Sequence, residues 1–256
     1  MSIYINTYLL IHIVTNYICI SNAIFKSDWS EVWPTPNVWY NVAPEMPQEY
    51  VKVIKRNIEY INNLTCVQWN QRYPWWSTVQ DYVSFQYNYA DESEGTYCEA
   101  AVGWKREQQV LYVGADCMNR SLDGQRTAIL HEMMHSMGFY HEQQRPNRNC
   151  YVFVPEAEAK KSPADLAILP YPNYFSDWPY DFESIMHYPK GANVWPRDKT
   201  QKLSREDGTI SPFDIEKLNF LYCDKPSYCP TVGKAKCDEL KKIEKQNPNC
   251  KTQLPG

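Results

Sequence analysis

The spacing of apolar side chains predicts a long amphipathic helix soon after Pro47. In QEYVKVIKRNIEYINNL, apolar residues recur every three or four positions, at Tyr50, Val51, Ile54, Ile58, Ile61 and Leu64. This period places them on one face of a helix, as a helix that packs on a core requires.

Alternation of apolar and polar positions predicts two half-buried strands, at residues 82–87 and 108–113. A second helix is expected over RTAILHEMMHSM, residues 126–137, preceded by Ser121 and closed by Gly138. A last helix is predicted to begin near Ser211, with a proline in its first turn.

Residues 147–189 are rich in Pro, Tyr and Asp and show little periodicity, so we expect mostly loop there, held by packing and crosslinks. After Cys223 the composition changes to Lys, Cys and Pro, which indicates a boundary. Residues 224–256 are too short for an independent core and are predicted to form a crosslinked extension.

The amino-terminal stretch resembles a secretory signal peptide, because no charged side chain precedes Lys26. An apolar run from Tyr8 to Ile20 leads to Ser-Asn-Ala, so residues 1–23 are predicted to be removed. A basic residue near the start is missing, which leaves an apolar amino-terminal strand as the alternative. The run is too short and too polar for a comfortable membrane span, so no transmembrane anchor is expected.

The bulk composition indicates a folded globular protein, since 43% of the residues are hydrophobic and 22% are charged. A net charge of −4 gives no support to a nucleic-acid partner, which would need a basic face. Residues 225–256 carry seven Lys and three acidic residues, which we interpret as a solvated surface; attachment to an anionic surface is the alternative.

The cysteines favour an oxidising compartment. Nine are present, and Cys19 lies in the predicted signal. The other eight contain no C-x-x-C pair, so disulfides are favoured over a structural zinc cluster. Sequons at Asn63 and Asn119 are compatible with N-glycosylation. Together these features predict a secreted, extracellular, disulfide-bonded glycoprotein.

Three of the five histidines lie within HEMMHSMGFYHE, residues 131–142. His131 and His135 are four apart, so both imidazoles project from one helix face and can reach one ion. Gly138 can take positive φ and end the helix, which lets His141 return to that ion. Three neutral nitrogens leave a position open for water, as in a catalytic zinc site, and Glu132 is placed to reach that water.

This spacing argues against coincidence. H-E-x-x-H arises by chance in about one such chain in two hundred, and Gly138 and His141 at the right offsets make it far rarer. Core or capping histidines are the disfavoured alternative. Zinc lowers the pKa of bound water toward neutrality, and a nearby carboxylate can take the proton and pass it to a leaving amine. Glu132 is therefore the predicted general base.

HEMMHSMGFYHEQQR followed by SIMHY, residues 184–188, resembles the astacin family of zinc endopeptidases in the metzincin clan. Glu142, directly after the third histidine, is the residue that separates this family from other metzincins. Trp33-Pro34 and Val38-Trp39-Tyr40 are similar to the family's amino-terminal strand. The resemblance covers about residues 24–223.

The resemblance implies an α+β, zincin-like fold. A twisted mixed sheet and two long helices would form residues 24–141, and an irregular half with a final helix would form residues 142–223. The active-site cleft would lie between the halves and bind a protein or peptide substrate in extended form. The resemblance also implies the disulfides Cys66–Cys223 and Cys98–Cys117. Three pairings stay open for the remaining cysteines, Cys150, Cys229, Cys237 and Cys250.

The resemblance also assigns roles. One Zn²⁺ would be ligated by three histidines, His131, His135 and His141. Tyr188 would be a further phenolate ligand that swings away to donate a hydrogen bond to the tetrahedral intermediate. Met186 would form an apolar floor beneath the metal. Glu142 would be linked through water to a buried mature amino terminus, at Ile24 if the signal is cut after Ala23.

Astacins carry a prosegment in which an aspartate of F-x-G-D caps the zinc. Phe25-Lys26-Ser27-Asp28 is similar, with Ser27 in the place of Gly, but only four residues separate Asp28 from Trp33. We therefore expect Asp28 to be an ordinary residue of the mature terminus; a capping prosegment is the alternative.

The predicted function is thus a secreted zinc endopeptidase. Two alternatives stand beside it: a secreted zinc-containing binding protein or toxin without turnover, and a structural zinc domain. The presence of Glu132 and Tyr188 argues against the first. The absence of a fourth firm protein ligand such as Cys argues against the second.

Overall fold

The computed structural model describes residues 32–73, 78–88, 97–169 and 177–250. The predicted signal peptide, Ile24 and Asp28 lie outside these ranges. The described elements follow in the order β1 Asn37–Val42, α1 Gln48–Leu64, β2 Gln68–Gln71, β3 Tyr82–Tyr87, β4 Glu99–Ala100, β5 Gln108–Val113, α2 Ala115–Met118, α3 Leu122–Ser136, β6 Val152–Phe153, α4 Glu156–Lys161, α5 Pro163–Leu166, β7 Trp195–Pro196, α6 Pro212–Tyr222, α7 Tyr228–Val232 and α8 Lys234–Gln246. Among these residues, no helix has the length and apolar character that crossing a bilayer requires.

The first half is built on a five-stranded mixed sheet in the order β2-β1-β3-β5-β4. Strands β1, β2, β3 and β5 run parallel to their neighbours, whereas the short β4 pairs antiparallel with β5. The alternating segments at 82–87 and 108–113 are β3 and β5, as the pattern predicts. Strand β4 lies at the open edge of the sheet, next to the cleft described below.

The two long helices, α1 and α3, pack on each other beside the sheet. The buried positions of α1 are Val53, Ile54, Asn57, Ile58 and Ile61, which follow the predicted period. The amide of Asn57 donates to the carbonyl oxygen of Arg126 in α3 at 3.0 Å, so this polar residue in the interface is hydrogen-bonded. Leu64, the last apolar residue of the pattern, is exposed.

Helix α3 begins and ends at capping residues visible in the sequence. The Ser121 hydroxyl accepts a hydrogen bond from the Gly124 amide at 3.2 Å, which satisfies a free N–H group of the first turn. At the other end Gly138 adopts φ 97°, a conformation that is costly for other residues. Its amide donates to the His135 carbonyl at 2.8 Å, and the chain turns away from the helix axis.

The second half is largely irregular, as the sequence predicts. Most of the described residues between 147 and 189 are loop, with three short elements among them, β6, α4 and α5; β6 pairs antiparallel with β7. These elements are two to six residues long, which is too short to leave a period in the sequence. They surround a small second core made of Val152, Val154, Leu166, Tyr180, Val194 and Leu203.

Helix α6 matches the helix that the sequence predicts to begin near Ser211. Ser211 caps it by accepting from the Asp214 amide at 2.9 Å, and the Asp214 side chain accepts from the Ser211 amide at 3.3 Å. This reciprocal pair is a capping box, and Pro212 occupies the first turn.

Four disulfides join the eight cysteines. Cys66 pairs with Cys223 and Cys98 with Cys117, which is the pairing that the resemblance implies. The pairings that the sequence left open are Cys150–Cys250 and Cys229–Cys237. The first of these ties the extension to the segment that follows the metal site.

The extension is also held by hydrogen bonds. Glu244 of α8 accepts from the Asn147 amide at 2.8 Å and from the Tyr151 hydroxyl at 2.7 Å. Asp177 accepts from the Ser227 hydroxyl at 2.7 Å. The tail therefore packs on the second half of the molecule.

Candidate active site

The three predicted histidine ligands converge on one point. The Nε2 atom of His141 lies 3.2 Å from that of His131 and 3.1 Å from that of His135. Helix α3 supplies the first two rings, and the turn at Gly138 returns the chain so that His141 faces them. These residues are the one group of metal-ligand side chains that the described part of the chain gathers in this way.

The hydrogen bonds of the rings leave their inner nitrogens suited to bind a cation. The Nδ1 atom of His131 donates to the Ile185 carbonyl at 2.8 Å, and that of His135 donates to the Phe139 carbonyl at 2.7 Å. Their Nε2 atoms are then unprotonated, and each carries a lone pair. Lone pairs at such separations repel unless a cation lies between them. Two nitrogens at about 2.0–2.1 Å from a tetrahedral zinc ion would be about 3.3–3.4 Å apart, so the cluster fits zinc.

Burial keeps these rings neutral, as metal ligation requires. It lowers the pKa of His131 below its ordinary value and, helped by the neighbouring His131, lowers the pKa of His135 to about 3. The pKa of His141 is likewise lowered, first by burial and then by the other two rings.

Glu132 is buried at the floor of the cleft, with 8% of its surface exposed. Burial, aided by the carboxylates of Glu99 and Asp165 and opposed by a backbone hydrogen bond from Ala100, raises the pKa of its carboxyl to about 8. A divalent cation beside this carboxyl favours its charged form. Glu132 can therefore hold or release a proton near neutral pH when a metal is bound.

Tyr188 lies beside the third histidine, with its ring centroid 4.7 Å from that of His141. Its amide donates to the Gln143 side chain at 3.0 Å. Burial and the carboxylate of Asp165 raise the pKa of the Tyr188 phenol above its ordinary value. The phenol is thus protonated at neutral pH and can donate a hydrogen bond.

The SIMHY turn is fastened to both neighbouring elements. The Met186 carbonyl accepts from the Glu142 amide at 2.9 Å, and the Ile185 amide donates to Asp214 of α6 at 2.9 Å. The Ser184 hydroxyl donates to the same carboxylate at 2.8 Å. Met186 itself is buried in the main core. The turn therefore fixes the position of His131, through Ile185, and of the chain that follows His141.

Glu142 forms a buried ionic cluster. Its Oε1 atom accepts from the Arg145 guanidinium at 2.6 Å and from the Asp181 amide at 2.9 Å, and its Oε2 atom accepts from the Lys217 ammonium at 2.9 Å. Burial alone would raise the pKa of Glu142, but the two cations outweigh it and lower the pKa to about 2. The expected partner, a mature amino terminus at Ile24, lies outside the described residues.

The sequence reasoning missed several residues of this site: Arg145, Asp165, Asp181, Asp214 and Lys217. Two of them had a usable signal. Asp214 stands three residues after Ser211, which is capping-box spacing. Lys217 lies between apolar residues of a predicted helix, where a charge needs a buried partner.

The cleft has a volume of about 460 Å³ and lies between the two halves. Residues on both sides of the boundary after His141 line it, from β4, α3, the turn around His141, α5 and the SIMHY turn: Glu99, Ala100, His131, Glu132, His135, Tyr140, Gln144, Asp165 and Tyr188. The open edge of β4 borders it. The sequons lie elsewhere: Asn63 and Asn119 are both exposed.

These features define a class of protein. A helix that carries two histidines, a glycine turn that returns a third, and a methionine turn hydrogen-bonded to the first histidine are the frame of a metzincin-type zinc peptidase.

Comparison with known proteins identifies the family. The family model described as Astacin, a peptidase family, matches residues 25–223. Because this match covers most of the chain, the protein belongs to the astacin peptidase family, and its described residues include a three-histidine group that could hold a metal ion.

Individual relatives agree with this assignment. The chain is 29% identical over 207 residues to zinc metalloproteinase nas-30 of Caenorhabditis elegans, covering 72% of this chain and 24% of that protein. It is 27% identical over 219 residues to Astacin-like metalloprotease toxin 1 of Loxosceles intermedia, covering 79% and 74%. The chain thus spans about a quarter of the length of the nematode relative.

A solved structure supports the fold. High choriolytic enzyme 1, a hatching enzyme zinc-protease from the medaka fish Oryzias latipes, matches with a TM-score of 0.58 at 24% identity. The match covers 76% of this chain and 94% of that one. The α+β architecture with a mixed sheet and two long helices is therefore confirmed.

Proposed function

We propose that this chain hydrolyses internal peptide bonds of proteins, with His131, His135 and His141 as zinc ligands and Glu132 as general base. The convergence of three Nε2 atoms beside the buried Glu132 carboxyl is the observation that carries the proposal. A structural zinc site is disfavoured because three histidines leave one side of the ion open to the cleft.

In this mechanism zinc, when bound, supplies a Lewis acid that polarises the scissile carbonyl and acidifies water. The Glu132 carboxylate takes a proton from the attacking water and later gives it to the leaving amine. The Tyr188 hydroxyl donates a hydrogen bond to the oxyanion of the tetrahedral intermediate. An extended substrate adds to the open edge of β4, whose Glu99 and Ala100 line the cleft.

Secretion is part of the proposal. Three features support it: the signal-like residues 1–23, four disulfides, and two exposed sequons at Asn63 and Asn119. Residues 24–223 would form the catalytic domain and residues 224–256 an extension packed on it. Amino-terminal sequencing of protein from the culture medium should give Ile24 first. Recovery of a chain that still begins at Met1 would contradict a cleaved signal.

The variant Glu132→Gln separates turnover from binding. Replacing the carboxylate by an amide of the same size removes the base and leaves the three imidazoles in place. We expect kcat to fall about 10²–10⁴-fold, measured on a general protein substrate. Zinc content should stay at one ion per chain.

The competing function, a zinc-containing binding protein or toxin without turnover, predicts a different result. In that case wild type and Glu132→Gln would be equally inert with zinc bound. A chelator-sensitive wild type with an inactive, zinc-loaded variant excludes this alternative.

A further inference from the structure

His141 differs from the other two histidines in the surroundings of its Nδ1 atom, the ring nitrogen that does not face the cluster. Because Nε2 of His141 points at the other two rings, Nδ1 carries the proton in the neutral ring. His131 and His135 each donate Nδ1–H to a backbone carbonyl. Nδ1 of His141 is buried and has no acceptor at hydrogen-bonding distance among the described residues. The carboxylate beside it is Asp165, with Oδ1 at 3.8 Å.

Asp165 is held at this place by the turn that carries His141. The side-chain amide of Gln143 donates to the backbone carbonyl of Asp165 at 3.3 Å, and the side-chain amide of Gln144 donates to that of Ala164 at 2.8 Å. The Ser162 hydroxyl donates to Oδ2 of Asp165 at 3.0 Å, which leaves Oδ1 toward His141. Two side-chain hydrogen bonds therefore join helix α5 to the histidine turn.

Tyr188 faces the same carboxylate. The carboxylate of Asp165 contributes to the raised pKa of its phenol, and its ring lies against that of His141. One carboxylate thus borders both a metal ligand and the residue proposed to stabilise the oxyanion.

We propose that Asp165 is a positioning residue that accepts hydrogen bonds from Nδ1–H of His141 and from the hydroxyl of Tyr188. A shift of about 1 Å, within the reach of a partly exposed side chain, brings Oδ1 to hydrogen-bonding distance of Nδ1. Such an acceptor fixes the tautomer and orientation of a ligating imidazole and raises its basicity. The Gln144 side chain also interacts with His141, and its oxygen is the competing acceptor, but a carboxylate accepts the stronger hydrogen bond from an imidazole N–H.

The inference rests on the zinc site proposed above and is tested by zinc affinity as well as by activity. The zinc dissociation constant is measured by chelator competition on wild type, Asp165→Ala and Asp165→Asn. We expect Asp165→Ala to raise it about 10–100-fold. Asp165→Asn keeps an acceptor oxygen without the charge, so its value should fall in between. Should Asp165→Ala fail to fold, the isosteric Asp165→Asn alone decides the result.

Glu99→Gln is the matched charge control. Glu99 and Asp165 both line the cleft and both act on the Glu132 carboxyl, but Glu99 makes no contact with His141 in the described structure. Removal of the Glu99 charge should leave the zinc dissociation constant within about threefold of the wild-type value, since a solvated charge without direct contact is largely screened. Equal weakening of zinc binding in Glu99→Gln and Asp165→Ala would show that the effect comes from the negative charge of the cleft, and it would overturn the proposal.

A double-mutant cycle tests the contact with Tyr188. The loss of kcat caused by Asp165→Ala should be smaller in a Tyr188→Phe background, because the two residues act together. Strictly multiplicative losses would overturn this half of the proposal. An unchanged zinc dissociation constant in Asp165→Ala would overturn the other half, while a chain that binds no zinc at all would instead refute the proposed function.

Discussion

Asp181 lies in the buried ionic cluster around Glu142, with 6% of its surface exposed. Its carboxylate accepts from the Ser211 hydroxyl and from the Glu183 amide at 3.2 Å. Burial, aided by the neighbouring Asp214 and opposed by the ammonium of Lys217, raises the pKa of Asp181 to about 7. The native protein therefore binds a proton here that the unfolded chain releases near pH 4.

The raised pKa of Asp181 determines the direction in which the stability of the protein changes with pH. A carboxyl with a raised native pKa contributes stability below its unfolded pKa, and that contribution is lost as pH rises toward the native value. Between about pH 4 and pH 7, the unfolding free energy of wild type should fall relative to that of Asp181→Asn by at least about 1 kcal/mol. Denaturant unfolding of both proteins across this range checks it. Comparing the two cancels contributions from the histidines. Parallel curves would show that Asp181 is charged in the native state.

At the scale of elements, the turn at Gly138 determines whether His141 reaches the other ligands. Its φ of 97° is disfavoured for any residue with a Cβ atom. Gly138→Ala should therefore cost about 1–2 kcal/mol of stability and should also weaken zinc binding, because relaxation of the turn moves His141 and the Phe139 carbonyl.

Gly191→Ala is a control matched in backbone conformation. Gly191 has the same φ of 97°, and an added Cβ there would meet nothing within 4 Å. Both variants should lose similar stability in denaturant unfolding. Only Gly138→Ala should raise the zinc dissociation constant. Equal zinc affinity in the two variants would contradict the role of this turn.

Some elements are determined by their local sequence, and others depend on contacts with distant residues. Helices α1, α3 and α6 and strands β3 and β5 are long enough to carry a period or recognised caps, so the pattern predicts them. Helix α5, which carries Asp165, is four residues long and is fixed by side chains of Gln143 and Gln144 about twenty residues away. Contacts of this kind leave no periodic signal.

The same distinction explains the site. His131, Glu132, His135 and His141 are predictable because one helix and one glycine turn place them. Lys217 reaches Glu142 across 75 positions, and that pairing depends on the packing of α6 against the histidine turn. A one-dimensional pattern can indicate a buried charge at Lys217, but it does not identify its partner.

At the scale of the whole molecule, the cleft depends on two halves and on what holds them. The Cys66–Cys223 disulfide joins the end of α1 to the end of α6, and the SIMHY turn links α6 to both His131 and Glu142. The extension adds a further attachment through Cys150–Cys250 and Glu244. The edge of β4 and the three histidines thus border the same cleft, as the binding of an extended substrate beside the metal site requires.

The central claim is that one zinc ion, held by three histidines, makes this chain a peptidase. Its most direct test is a zinc titration of the metal-free protein during cleavage of a protein substrate. We predict that activity rises in proportion to added zinc and reaches a plateau at one equivalent per chain, while Glu132→Gln binds the same equivalent and stays inactive. Full activity in the metal-free protein, or binding of one equivalent without any cleavage by wild type, would contradict the claim.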